Sequence, residues 1–142
     1  MTPTPTETIT DGKITARMVY EKPPFYERAV AEFGVNWNDG IIFTYGDVIH
    51  TKYPLAPDVK IHEMTHVVQQ KEIGKDLWWG KYFDDPAFRR EQELEAYRNQ
   101  VKFLRDNYNR KQRRNAELEI YWAMENVYGD AFNGDDVREL LR

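Results

Sequence analysis

The chain of 142 residues carries 20 Lys and Arg against 24 Asp and Glu, a formal net charge of −4, and no cysteine. One domain with a single modest core fits that length, disulfides and thiolate metal sites are excluded, and mild acidity offers no general attraction for nucleic acid. Neither a secretory signal nor a run of about 18 apolar residues is visible, so a cytoplasmic protein that meets no membrane is expected.

Residues 1–10 are rich in Thr and Pro and read as a flexible tail before a single domain, residues 11–142. After an Asp11-Gly12 turn signal, residues 13–20 alternate well enough for a strand. Pro23-Pro24 opens a short helix over residues 25–33, closed by Gly34, with Phe25, Ala29, Val30 and Phe33 at core spacing. Residues 41–45 and 48–51 are β-rich runs around Gly46-Asp47, the pattern of a hairpin.

Asp58, after Pro57, reads as the N-cap of the next helix, and Gly74 as its stop. Inside it stands Ile61-His62-Glu63-Met64-Thr65-His66-Val67-Val68-Gln69-Gln70, with two of the chain's three histidines. Residues four apart on a helix lie one above the other, so both imidazoles can face one ion. Glu63 is offset by about 100° around the axis, where its carboxylate reaches a water on the ion without itself taking the ion. This is the spacing of a zinc hydrolase, with His62 and His66 as ligands and Glu63 as general base. Ile61, Met64 and Val68 fall on the opposite side, which predicts a central helix whose histidine face lines a cleft.

Residues 76–83, Asp-Leu-Trp-Trp-Gly-Lys-Tyr-Phe, are dense in aromatic rings and are expected in the core. Asp85 as cap and Pro86 as first helical residue start a long helix running to about Asn109. Its apolar stripe, Leu94, Tyr97, Val101, Leu104 and Tyr108, must pack inward. Without cysteine, a third metal ligand must be His, Asp or Glu. From the centre of the stripe Glu93 lies about 60° away, Glu91 about 100° and Glu95 about 140°. Glu93 borders the buried face, where a carboxylate needs a cation, so it leads; Glu95, Glu91 and the strand-end His50 are the alternatives. Arg110, Lys111, Arg113 and Arg114 form a basic cluster between two helices, read as solvated surface near a helix C-terminus in preference to a nucleic-acid patch. Residues 116–128 form an amphipathic helix with Leu118, Tyr121, Trp122 and Met124 as core, ended by Gly129, and residues 135–142 a short last helix.

The run from Ile61 to Gln70, with Glu93-Leu94-Glu95-Ala96 downstream, resembles the gluzincin metallopeptidases, particularly the small single-domain ones. The resemblance implies zinc as cofactor, His62, His66 and Glu93 as metal ligands, Glu63 as the catalytic base, and a peptide or protein as substrate. One position departs. After the alanine the family usually has Asp or Asn, which orients a zinc histidine from behind; here stands Tyr97, so that role must fall elsewhere or be lost. The stretches Glu91 to Arg98 and Val127 to Asp130 are also similar to small metallopeptidase-like proteins encoded by bacteriophages, which implies the host cytoplasm or the virion as location and phage structural proteins as partners.

The expected fold is α+β, a small antiparallel sheet or hairpin packed on about four helices in a zincin-like arrangement. The expected function is a zinc-dependent peptidase, its substrate strand adding to the edge of the 41–51 hairpin. Tyr45, Tyr97 and His50 are the candidates for stabilising the oxyanion. The alternative is a catalytically silent zinc-binding structural or interaction protein, such as a phage particle component.

Overall fold

A computed structural model describes residues 6–11 and 14–142, with side chains from residue 14 onward. Residues 1–5 of the expected tail, and Gly12 and Lys13 at the expected turn and strand start, lie outside the described residues. The fold is α+β. Strands β1 (Thr6–Asp11) and β2 (Ile14–Val19) come first, then α1 (Tyr26–Phe33), a 3₁₀ turn (Trp37–Asp39), β3 (Phe43–Tyr45) and β4 (Val48–His50). The helices α2 (Pro57–Ile73), α3 (Lys75–Asp84), α4 (Pro86–Asn107), α5 (Arg110–Asn126) and α6 (Gly134–Leu141) follow. Six α-helices among the described residues thus replace the expected four. The described part of the expected tail, residues 6–10, lies in β1.

The sheet order is β1-β2-β4-β3. β1 with β2 and β3 with β4 are the antiparallel pairs, the latter the hairpin expected around Gly46-Asp47. β2 and β4, however, run parallel, with Arg17 opposite Val48 and Val19 opposite His50. The sheet is therefore mixed, not antiparallel throughout. A parallel pair needs a crossover of a dozen or more residues, and the segment containing α1 provides one.

Helix α2 packs against the sheet and along α4. Met64 and Val67 meet Ala16, Met18 and Ile49 of the strands. A second, aromatic core gathers Trp78, Trp79, Tyr82 and Phe83 of α3 with Leu94, Tyr97, Val101 and Leu104 of α4. Gly74 joins the two halves: at φ 94° it ends α2 and caps α3 with no residue between. Such a backbone angle strains any residue with a Cβ, and the sharp turn it permits sets the α3 indoles beside the α2 histidines, Trp78 lying 5.4 Å from the His66 ring.

Three local expectations change. Ala56 is the N-cap of α2 with Pro57 at its first position, so Asp58 is free for another task; Asp85 does cap α4, accepting from the Ala87 and Phe88 amides. Arg110 to Arg114 form the first turns of α5 instead of a link between helices. Finally, Leu118, Tyr121 and Trp122 are 58%, 51% and 48% exposed, and the face of α5 that enters the core carries Ile120 and Met124.

Candidate metal centre

His62 and His66, one turn apart on α2, meet Glu93 of the adjacent α4, and all three are buried. The Nε2 atoms of the two histidines are 3.2 Å apart, and Glu93 Oε1 lies 3.0 Å from His62 Nε2 and 2.9 Å from His66 Nε2. Three ligand atoms therefore surround one point, and the group can hold a metal ion. A tetrahedral ion bonded at 2.0–2.1 Å sets its ligand atoms about 3.3 Å apart, a spacing that these side chains reach by moving a few tenths of an ångström. Two imidazole nitrogens and one carboxylate oxygen make up the donor set.

Both histidines are fixed from behind by glutamine. His62 Nδ1 faces Gln100 Oε1 at 2.9 Å, and the Gln100 amide donates to Asp58 Oδ2 at 2.8 Å. His66 Nδ1 faces Gln69 Oε1 at 2.8 Å, and the Gln69 amide donates to the Gln92 carbonyl and to Glu95 Oε1. A carboxylate or carbonyl can only accept, so it fixes which end of each amide points at the histidine. The glutamine oxygens then accept Nδ1–H, and both Nε2 atoms turn toward the shared point. This answers the departure at Tyr97: the orienting role lies with Gln100, one helical turn beyond Tyr97 on the same inward face, and Asp58 stands behind it.

Electrostatics follow from the burial. Burial opposes charge on His66, but the Glu93 carboxylate at 2.9 Å outweighs it and raises the imidazole pKa to about 9. Burial would likewise raise Glu93; the His66 charge and the hydrogen bonds from both histidines overcome it and hold the carboxyl well below the usual range. Glu63 goes the other way. Burial raises its pKa against the lowering pull of His62 and His66, with Glu93 adding to the rise. Its Oε1 accepts from the Thr44 hydroxyl at 3.0 Å, while Oε2 stands 3.8 Å from His62 Nε2. Glu63 is thus beside the three-atom cluster and outside it, as the motif spacing requires.

The alternative ligands are occupied elsewhere. His50 points its Nδ1 at the Glu21 carbonyl, Glu91 pairs with Arg90, and Glu95 accepts from Gln69. Of the oxyanion candidates, Tyr45 donates to Asp76 at 2.6 Å and, like His50, does not line the cleft. Tyr97 does. Its ring packs 4.3 Å from the His62 ring, and its hydroxyl meets that of Tyr128 at 2.5 Å. Two hydroxyls hold two protons, and one hydrogen bond between them uses one. The other proton remains to be donated beside the site. Burial and Glu93 push both phenols well above their ordinary pKa, so both stay protonated. Tyr128, Gln69 and Thr44 were not singled out by sequence reasoning, although Gln100, seven residues beyond Glu93, shares its helical face.

The cluster lines a cleft of about 750 Å³. Its walls include Val35, Ile42, Leu55, Val59, Ile120 and Trp122, and among the described lining residues there is no Lys or Arg. Along the β3 edge the Thr44 carbonyl is taken, accepting from Gln70 Nε2 at 2.7 Å and Trp79 Nε1 at 2.8 Å. Ile41 and Ile42, which precede β3, also line the cleft. No helix among the described residues is long and apolar enough to cross a membrane. Comparison with family models, with curated proteins and with solved structures finds no match.

Proposed function

We propose that the protein is a zinc-dependent peptidase of the gluzincin type, a reading carried by one observation. His62 Nε2, His66 Nε2 and Glu93 Oε1 converge on a point while the Glu63 carboxylate lies alongside it, in a cleft large enough for several residues of peptide. When bound, zinc would supply Lewis acidity, polarising a carbonyl and bringing the pKa of water down to about 7.

The chain's own residues do the rest. The Thr44 hydroxyl holds Glu63 Oε1, which leaves Oε2 to take a proton from the attacking water. The raised pKa of Glu63 lets it keep that proton long enough to hand it to the departing amine. The spare O–H of the Tyr97–Tyr128 pair donates to the carbonyl oxygen as it gains charge. Asp39 and Glu119 are the charged residues of the cleft apart from Glu63 and the His62–His66–Glu93 cluster. An extended segment with large apolar side chains suits such walls; away from the metal centre, one rich in Asp and Glu would meet only like charge.

Incubating zinc-loaded protein with a mixed peptide library, wild type beside Glu63→Gln, tests the proposal. Cleavage by wild type that disappears in the variant while zinc stays bound is the expected result. Retention of zinc with no cleavage of any peptide by wild type would favour a second reading, a catalytically silent zinc-binding structural or interaction protein. The exposed stripe Leu118, Tyr121 and Trp122 on α5 is the observation that supports that alternative.

A further inference from the structure

A carboxylate can bind an ion through one oxygen or two, and the choice sets how many positions remain open. Glu93 has its two oxygens in different surroundings. Oε1 faces both histidines, at 2.9 and 3.0 Å, whereas Oε2 accepts from the Tyr82 hydroxyl at 2.5 Å. We propose that Tyr82 is a positioning residue that confines Glu93 to a single ligating oxygen and so sets the coordination number and metal preference of the centre, an inference that rests on the metal-site reading above.

Tyr82 is built to hold this place. It is buried, its ring stacks on Trp78 at 4.8 Å with 24° between planes, and Trp79 and Phe33 pack on it at 4.8 and 5.9 Å. Its own carbonyl accepts from Arg89 Nη1 at 2.6 Å, which ties the backbone of α3 to α4. A phenol next to a carboxylate is a donor only, since its ordinary pKa is about 10, and O–H···O⁻ bonds this short are among the strong ones. For Oε2 to swing onto the ion, that buried bond must break. The ion then keeps three bonds to the protein, two from nitrogen and one from oxygen, with its remaining positions open. Zinc and cobalt accept so few ligands; manganese and magnesium prefer six oxygens or nitrogens, and calcium six to eight oxygens.

Tyr82→Phe removes the hydroxyl and keeps the ring. X-ray absorption on zinc-loaded wild type should find one carboxylate oxygen at about 2.0–2.2 Å and none other within about 2.6 Å. In the variant a second oxygen should enter that range, the visible spectrum of the cobalt form should shift from the intense bands of a four-coordinate ion to the weaker ones of a five-coordinate ion, and the ratio of zinc to manganese affinity should fall about tenfold. Two carboxylate oxygens on zinc in the wild type would overturn the proposal even if the variant did not fold. So would a folded variant with the wild-type spectrum and ion preference. Failure of wild type to bind zinc or cobalt at all would instead remove the metal centre itself, and the inference with it.

Discussion

Gln100 accepts the Nδ1 proton of His62 at 2.9 Å and passes a hydrogen bond on to the buried Asp58 at 2.8 Å. This chain links the first turn of α2 to the middle of α4, so the metal-facing tautomer of His62 is fixed by the same contact that docks the two helices. Removing an outer-shell partner of a ligating histidine typically costs ten- to a hundredfold in metal affinity. Gln100→Ala should weaken zinc binding by that range in a competition titration against a chelator, and Asp58→Asn, whose amide oxygen still accepts from Gln100, should lose much less.

Metal binding should depend on pH through His66. In the metal-free protein its pKa is raised to about 9, so below that pH uptake of an ion expels a proton. Zinc affinity should therefore climb about tenfold per pH unit as pH rises toward 9 and then level off. The metal-free fold responds in the opposite sense. The His66 contribution is fully present below its ordinary value of 6.5 and is lost as pH rises through about 9; that of Glu93, whose pKa is lowered, is present above its ordinary 4.5 and is lost as pH falls. The raised pKa of Glu63 adds a loss that begins above 4.5, so thermal unfolding of metal-free protein should peak near pH 4.5 and fall as pH rises through about 9; a metal-free stability that kept rising from pH 7 to 9 would contradict the His66–Glu93 pairing.

Tyr97 and Tyr128 share one hydrogen bond and keep one proton free. If that proton stabilises the oxyanion, the Phe variant of whichever phenol supplies it, Tyr97→Phe or Tyr128→Phe, should lower kcat by about a hundred- to a thousandfold, the cost of one such donor, with zinc affinity unchanged. A fall in zinc affinity without a change in kcat would assign the pair to support of His62 alone.

Trp122 and Ile120 lie two residues apart on α5 but have different surroundings. Ile120 is buried, and Ile120→Ala should cost about 2–5 kcal/mol in denaturant unfolding. Trp122 is half exposed and borders the cleft, so Trp122→Ala should change stability by less than about 0.5 kcal/mol while raising KM for peptides with bulky apolar residues.

These two residues also show where the sequence was ambiguous. α5 carries two apolar stripes, one through Ile120 and Met124 and one through Leu118, Tyr121 and Trp122, and helical periodicity accepts either; only the position of α4 decides. The metal cluster was far more legible. A single helical step fixes the relation of His62, Glu63 and His66, and the stripe on α4 places Glu93 next to its buried face, so local geometry was enough. The parallel pairing of β2 with β4 carries no local turn signal, because it joins segments separated by α1 and the whole of β3. Asp58 looked like a cap because capping residues and buried anchors are the same residue types, and the partner that distinguishes them, Gln100, is 42 residues away.

The proposed centre stands on the convergence of His62, His66 and Glu93. An anomalous difference map at the zinc edge, from crystals of protein loaded with one equivalent of zinc, tests it most directly. One peak per chain bonded to His62 Nε2, His66 Nε2 and Glu93 Oε1 is the predicted result. A peak held by other residues, or an empty cluster at saturating zinc, would contradict it.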